Sequence, residues 1–283
     1  MKNSHSNSKK NYNALLNVLT WFYAMGVDTA VGSAPIDWLK LENKSPSSTP
    51  FLQNNSYDFL CDPKPECSYS EYHTNNYRLA LPQQNTDDLK TEHIAFTAKT
   101  LQDLQSLLDQ FDGCGLRITA TKLCFYRGSD HARVMVIGEA PGRDEDLSGR
   151  PFVGRAGQLL DKMLDSIQLD GSSVHYTNVV YWRPPGNRTP TTQEVLACRP
   201  FLEKQIDLVA PDIIITVGGL ASKIILETSQ GIMKLRGNWG SFISKSGTEI
   251  RVMPTLHPAY LLRTPASKLL AWRDLLAVKE AIQ

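Results

Sequence analysis

An α/β fold in three layers, with a four-stranded parallel sheet between two sets of helices, is what the apolar pattern of this chain predicts. Two observations carry it. From residue 131 onward, four short apolar runs alternate with stretches of helical spacing, the order that builds a parallel sheet covered on both faces. The first run then leaves through a glycine-punctuated loop, Gly138-Glu139-Ala140-Pro141-Gly142. Open α/β sheets bind ligands just there, beyond the C-terminal ends of their strands.

The elements follow in order. Strand one covers 133–138, with the buried run Val134-Met135-Val136-Ile137 at its centre. A helix is expected over about 156–167 and strand two over 175–181. The next helix starts at Thr191, a good N-cap with Glu194 three residues on, and runs to about 209. Strand three is 213–217, ending at Gly218-Gly219. A helix over about 221–228, strand four over 252–256 and a helix over about 265–281 complete the series.

The N-terminal part reads differently. Residues 11–31 suit an amphipathic helix within a helical segment, 1–42. The apolar stretch 14–34 follows Lys9-Lys10, yet Asn17, Thr20 and Asp28 interrupt it, against a signal peptide or membrane span. Residues 43–87 are rich in Ser, Asn, Pro and Tyr and read as a flexible linker. Helical spacing returns over 88–110, with Leu101, Leu104, Leu107 and Leu108 on one face. The expected catalytic-scale domain is therefore 88–283.

Composition narrows the partners. The net charge is +1, with 8 Lys+Arg against 9 Asp+Glu up to residue 90 and 22 against 20 beyond it. No global basic field advertises a polyanion, so any such site is a local patch. Five cysteines, at 61, 67, 114, 124 and 198, are an odd number without a dense framework. That pattern suits a reducing compartment, hence a cytoplasmic protein.

Three polar residues stand in or just beyond expected strands: Glu139 after strand one, Asn178 in strand two, His257 after strand four. Parallel strands bring such groups to one cleft. Each alone has an ordinary reading: a solvated carboxylate, an amide bonded to a loop, a histidine capping a turn. Phe152 in the Pro151-Phe152-Val153-Gly154 loop is either a solvent-side aromatic or a lid folded on the core. Together they offer an aromatic platform, an amide with donor and acceptor side by side, an imidazole donor, and a carboxylate able to hold water. That set suits binding a flipped base and cutting it from its sugar.

On these motifs residues 111–283 resemble a family 4 uracil-DNA glycosylase. The matching stretches are Gly138–Gly142, Glu145-Asp146, Pro151–Gly154 with Ala156-Gly157, Thr177-Asn178, Arg183–Arg188, Cys198-Arg199-Pro200 and His257-Pro258-Ala259. The resemblance implies a monofunctional glycosylase acting on uracil-containing DNA, double- or single-stranded. It implies that Gly138, Phe152 and Asn178 bind uracil, Phe152 stacking on it and Asn178 reading its edge. It implies that Glu139 positions the attacking water and His257 stabilises the departing anion. Leu261 or Leu262 is expected to fill the gap in the base stack, unless both belong to a core helix. Arg143, Arg155, Lys234, Arg236 and Arg263 are candidate phosphate contacts. The expected protein is a monomer without membrane association or metal. Two rivals remain: a non-catalytic DNA- or partner-binding module on this fold, and a glycosylase acting on other deaminated bases.

The resemblance also implies four cysteine ligands for a four-iron–four-sulfur cluster, and here the chain departs from it. Phe111 stands where the first ligand of a Cys-x-x-Cys would be, and Trp182 where a third would precede Arg183. Only Cys114 and Cys198 are retained, so the cluster is expected to be absent. The branch that traps its product covalently fits less well. That branch has a glutamine at the place of Glu139, and its basic insertion with an extra histidine is missing.

Overall fold

Alternate side chains of the central strands face opposite helical layers, and this alternation organises the fold. The computed structural model describes residues 86–282. The expected segment 1–42 lies outside the described residues, as does the linker 43–87 apart from its last two positions.

In chain order the helices are α1 (Thr86–Phe96), α2 (Leu101–Gln110), α3 (Leu116–Thr119), α4 (Arg143–Ser148), α5 (Arg155–Asp165), α6 (Thr192–Val209), α7 (Gly219–Ile225), α8 (Ile232–Leu235), α9 (Pro258–Arg263) and α10 (Lys268–Ile282). The strands are β1 (Arg127–Gly128), β2 (Val134–Gly138), β3 (Val174–Asn178), β4 (Ile213–Val217), β5 (Gly240–Ile243) and β6 (Glu249–Thr255). They form one sheet in the order β1-β3-β2-β4-β6-β5.

The four expected strands are the inner four, β2, β3, β4 and β6, and all pairs among them are parallel. The sheet nevertheless has six strands, because β1 pairs antiparallel with β3 and β5 with β6. These edges escaped the sequence reading for a physical reason. β1 is two residues long, and β5, Gly-Ser-Phe-Ile, is buried on neither face. Neither shows the apolar run that announces an inner strand.

Met135, Ile137 and Ile214 face a core shared with α1, α2, α6 and α7. Val134, Val136, Ile213 and Ile215 face the other core, shared with α5 and α10. The chain steps from β2 to β3 on one side, then across β2 to β4 on the other. The helices after β2 and β3 therefore diverge to opposite faces and open a crevice at the strand ends.

Some boundaries moved. The expected helix over 88–110 is two helices, because Thr100 caps α2, accepting from the Asp103 N–H while Asp103 accepts from the Thr100 N–H. Strand two ends at Asn178 rather than 181. The last helix begins at Lys268, after a separate 3-10 turn, Pro265–Ser267.

A polar network lies inside the core. The His175 ring donates from Nδ1 to the Ser129 carbonyl at 2.7 Å, and its Nε2 accepts from the Gln205 amide at 2.9 Å. The Gln205 Oε1 accepts in turn from Tyr181 and Thr177. Such a network specifies a core when every member is satisfied. Burial holds the His175 ring neutral and pulls its pKa down to about 4, with the Ser129 carbonyl and Asp130 opposing.

A pH dependence follows. Native His175 binds fewer protons than the unfolded chain, so its contribution is present above about pH 6.5 and is lost as pH falls through about 4. Urea unfolding should show wild type losing about 3 kcal/mol more over that window than His175→Gln. Equal losses would place the acid sensitivity elsewhere.

Candidate active site

The parallel register puts Gly138 directly beside Asn178. A cleft of roughly 660 Å³ opens over these strand ends, lined by Glu139, Phe152, Asn178, Gly218, His257 and Arg263, among others. Gly138, Phe152, Asn178, Glu139 and His257, expected to work together, do meet here. Gly138 is what lets them. A Cβ at this position would sit 2.4 Å from the Asn178 Oδ1 and 2.5 Å from the Phe152 ring. The amide and the ring close over a bare backbone.

Phe152 differs from its solvent-side reading. It is only 5% exposed, tilted against Tyr176 with ring centroids 6.1 Å apart, while it still lines the cleft. Asn178 is 2% exposed, and among the described residues no hydrogen bond engages its side-chain amide. Buried amides without partners are costly in a closed core. Beside a cleft, this one keeps a donor and an acceptor for a ligand.

Glu139 is half-buried, and its Oε1 accepts from the Leu220 N–H at 3.0 Å. The sequence reading missed this support, although Gly218-Gly219 signalled a turn. Gly218 has φ +105°, and a Cβ on it would lie 2.4 Å from Glu139 Oε1. A side chain there would push the carboxylate away.

His257 does cap a turn, as one of its ordinary readings held. Its Nδ1 accepts from the Ala259 N–H at 3.1 Å at the start of α9. That bond fixes the tautomer. With Nδ1 accepting, the neutral ring carries its proton on Nε2, so capping leaves a donor. Burial holds His257 below the ordinary histidine range, with Arg263 pushing the same way and Glu139 opposing.

The loops are tied by carboxylates. Glu145 Oε1 accepts from the Val153 and Gly154 N–H groups at 3.0 and 2.8 Å, and its Oε2 from Gly142 at 3.1 Å. Its neighbour Asp146 accepts from Thr121 and Lys122. Both acids of the Glu145-Asp146 motif thus hold backbone.

Two expected DNA contacts are corrected. Leu261 is fully buried in the core shared with α10 and so cannot enter a base stack, whereas Leu262 is 40% exposed. Arg236 points inward and donates to Asp274 and to the Leu270 carbonyl, so it holds α10 rather than phosphate. Arg143, Arg155, Lys234 and Arg263 are exposed.

The described residues at the matched ligand positions do not fit an iron–sulfur cluster. The Cys114 and Cys198 sulfurs lie 3.8 Å apart, both buried. The Phe111 ring folds over Gly113 and packs on Phe201 at 4.9 Å, and Trp182 is buried beside Tyr181. Cys124 is no third ligand. Its thiol donates to the Glu145 carbonyl, and burial pushes its pKa up to about 12. Among the described residues, two thiols fall short of the four ligands a cluster needs, and Cys61 and Cys67 lie outside them.

Comparison with known proteins agrees with this geometry. The model of the "Uracil DNA glycosylase superfamily" matches residues 125–276. A "Type-4 uracil-DNA glycosylase" of Thermotoga maritima is 37% identical over 176 residues, 62% of this chain and 90% of that protein. One from Sulfurisphaera tokodaii is 43% identical over 159 residues, 54% of this chain and 71% of that protein. A "Type-5 uracil-DNA glycosylase" of Pyrobaculum aerophilum is 32% identical over 149 residues, 47% of this chain and 64% of that protein.

The Glu145 bonds generate a stability prediction. Glu145→Ala leaves three N–H groups of two loops without acceptors, and should lower the unfolding free energy by roughly 3 kcal/mol. It should also expose the segment 149–154 to limited proteolysis. Denaturant titration and a timed digest check both, and an unchanged midpoint would refute the assignment.

Proposed function

The chain belongs to the uracil DNA glycosylase superfamily, and we propose that it extrudes uracil from DNA and hydrolyses the N-glycosidic bond, leaving an intact abasic site. The observation that carries this reading is one cleft holding an aromatic ring, an unengaged amide, a neutral imidazole donor and a tethered carboxylate.

The chemistry follows from those groups. Extrusion costs a few kcal/mol, least for a mismatched or single-stranded base. Leu262, exposed on the helix whose Tyr260 and Arg263 line the cleft, is the wedge that fills the gap. The flipped uracil stacks on Phe152. The Asn178 amide donates to O4 and accepts from N3–H. Cytosine reverses both groups, and mismatched buried polar atoms give the strongest discrimination. As the bond breaks, negative charge gathers on the uracil and positive charge on the sugar, as in glycoside hydrolysis. The Nε2–H of His257 meets the first charge at O2. Glu139 faces the second and, with Oε1 held by Leu220, orients the attacking water with Oε2. Arg143, Arg155, Lys234 and Arg263 supply the phosphate contacts.

The substrate is uracil-containing DNA, double- or single-stranded. The protein acts as a monomer, since one chain supplies the whole cleft. It acts in the cytoplasm, with Cys114, Cys124 and Cys198 as free thiols and without a membrane anchor. Among the described residues no helix is long and apolar enough to cross a membrane. It works without an iron–sulfur cluster, Phe111 and Trp182 standing where two of the four ligands would be. The catalytic domain of this reading is 88–283.

Purified protein should release uracil from oligonucleotides and leave sites that break only after alkali. No release, or strand cleavage without alkali, would overturn the reading. His257→Ala should slow single-turnover release by about 10²–10³-fold, the usual loss for one donor to a developing anion.

The same preparation should be colourless and contain neither iron nor sulfide. A brown protein with about four irons per chain would restore the cluster.

A further inference from the structure

Phe152 is held in a conformation its side chain disfavours. Its φ is +56°, in the left-handed region where a bulky residue is an outlier. Such a backbone persists only where its surroundings over-determine it, and these places cluster at ligand sites.

Three constraints act on this loop. Glu145 holds the N–H groups of Val153 and Gly154 on its downstream side. Gly157 lets α5 close on the loop, since a Cβ there would lie 1.9 Å from the Phe152 carbonyl oxygen. The upstream side is held by Arg127, whose Nε donates to the Pro151 carbonyl at 2.9 Å.

Arg127 is itself fixed on two further sides. Its NH2 group meets Asp161 of α5 at 2.6 Å. Its guanidinium lies 3.7 Å over the ring of Tyr176, its cross-strand partner in the β1–β3 pair. Tyr176 is the ring that backs Phe152. The side chain is 11% exposed, so solvent competes little for these bonds. A planar fork of donors suits this task, and a single ammonium does not. The two-residue strand β1 thus carries a group that joins the edge of the sheet to the wall of the cleft.

We propose that Arg127 is a positioning residue for base stacking. It holds the Pro151 carbonyl and, through the Tyr176 ring, sets the plane that Phe152 presents to a flipped pyrimidine. The proposal rests on the glycosylase reading of the cleft, because it assigns the ring a base to stack on. Arg127 touches no reacting atom, and its effect passes entirely through Phe152.

The test uses the full chain and two readouts: the single-turnover rate of uracil release, and inhibition by free uracil as a direct measure of the stacking pocket. Circular dichroism at the assay temperature checks that each variant is folded. Arg127→Met should slow release and weaken uracil inhibition by about tenfold each, the size of effect that misplacing one binding group produces. Arg127→Lys keeps the charge but cannot reach both Asp161 and the Pro151 carbonyl. It should fall between, at about threefold, and it carries the test if the methionine variant does not fold. In a Phe152→Ala background, Arg127→Met should add nothing, because residues acting through one another are not additive.

Unchanged uracil inhibition in folded Arg127→Met or Arg127→Lys would overturn the proposal, as would losses that multiply with those of Phe152→Ala. A wild-type protein that neither releases nor binds uracil would overturn both this assignment and the glycosylase reading. Release by wild type with unaffected Arg127 variants would overturn this assignment alone.

Discussion

The carboxylate of Glu145 is the interaction on which the cleft depends. One side chain accepts three backbone N–H bonds, from Gly142 in the loop after β2 and from Val153 and Gly154 in the loop before α5. Hydrogen bonds to a charged acceptor are the stronger kind, and these three join the two segments. Glu139 leaves the first segment and Phe152 stands in the second. Their separation is therefore set by a residue that need not touch a ligand.

The walls of the cleft are made where side chains are missing. At Gly138 the ring of Phe152 and the amide of Asn178 occupy the space of a Cβ, and at Gly218 the carboxylate of Glu139 does. Each bare backbone position lets a functional group approach the sheet edge more closely than any other residue would permit. His257 adds an economy of another kind. The bond from Ala259 that starts α9 also selects the ring's tautomer, so a capping interaction and a directed donor are one arrangement.

Away from the cleft, aromatic packing organises the core that holds Cys114 and Cys198. Phe111, packed on Phe201, and buried Trp182 share that core with the two cysteines. Aromatic pairs contribute beyond their buried area, and this one links the segment after α2 to α6. The His175–Gln205–Tyr181 network pins the same face of the sheet. That face is specified by matched hydrogen bonds as well as by apolar contact.

Much of this was legible in the amino-acid sequence, and the division has a physical cause. Inner strands are buried on both faces, so β2, β3, β4 and β6 read as apolar runs, and their parallel order places Glu139, Asn178 and His257 at one end of the sheet, beyond the strands' C-termini. Local rules reach that far, because strand period and loop position are properties of neighbouring residues. The edges β1 and β5 carried no such signal. Whether Phe152 was exposed, whether Leu261 or Leu262 faced outward, and whether Arg236 met phosphate or Asp274 all turned on contacts between distant segments. So did the role of Gly218, which meets Glu139 from another strand end, while Glu145 bonds loop backbone only three to nine residues away that no apolar pattern announces. The sequence by itself determined which groups gather at the sheet edge. Only the tertiary structure decided which of them face the cleft and which hold it open, because orientation depends on packing partners far away in the chain.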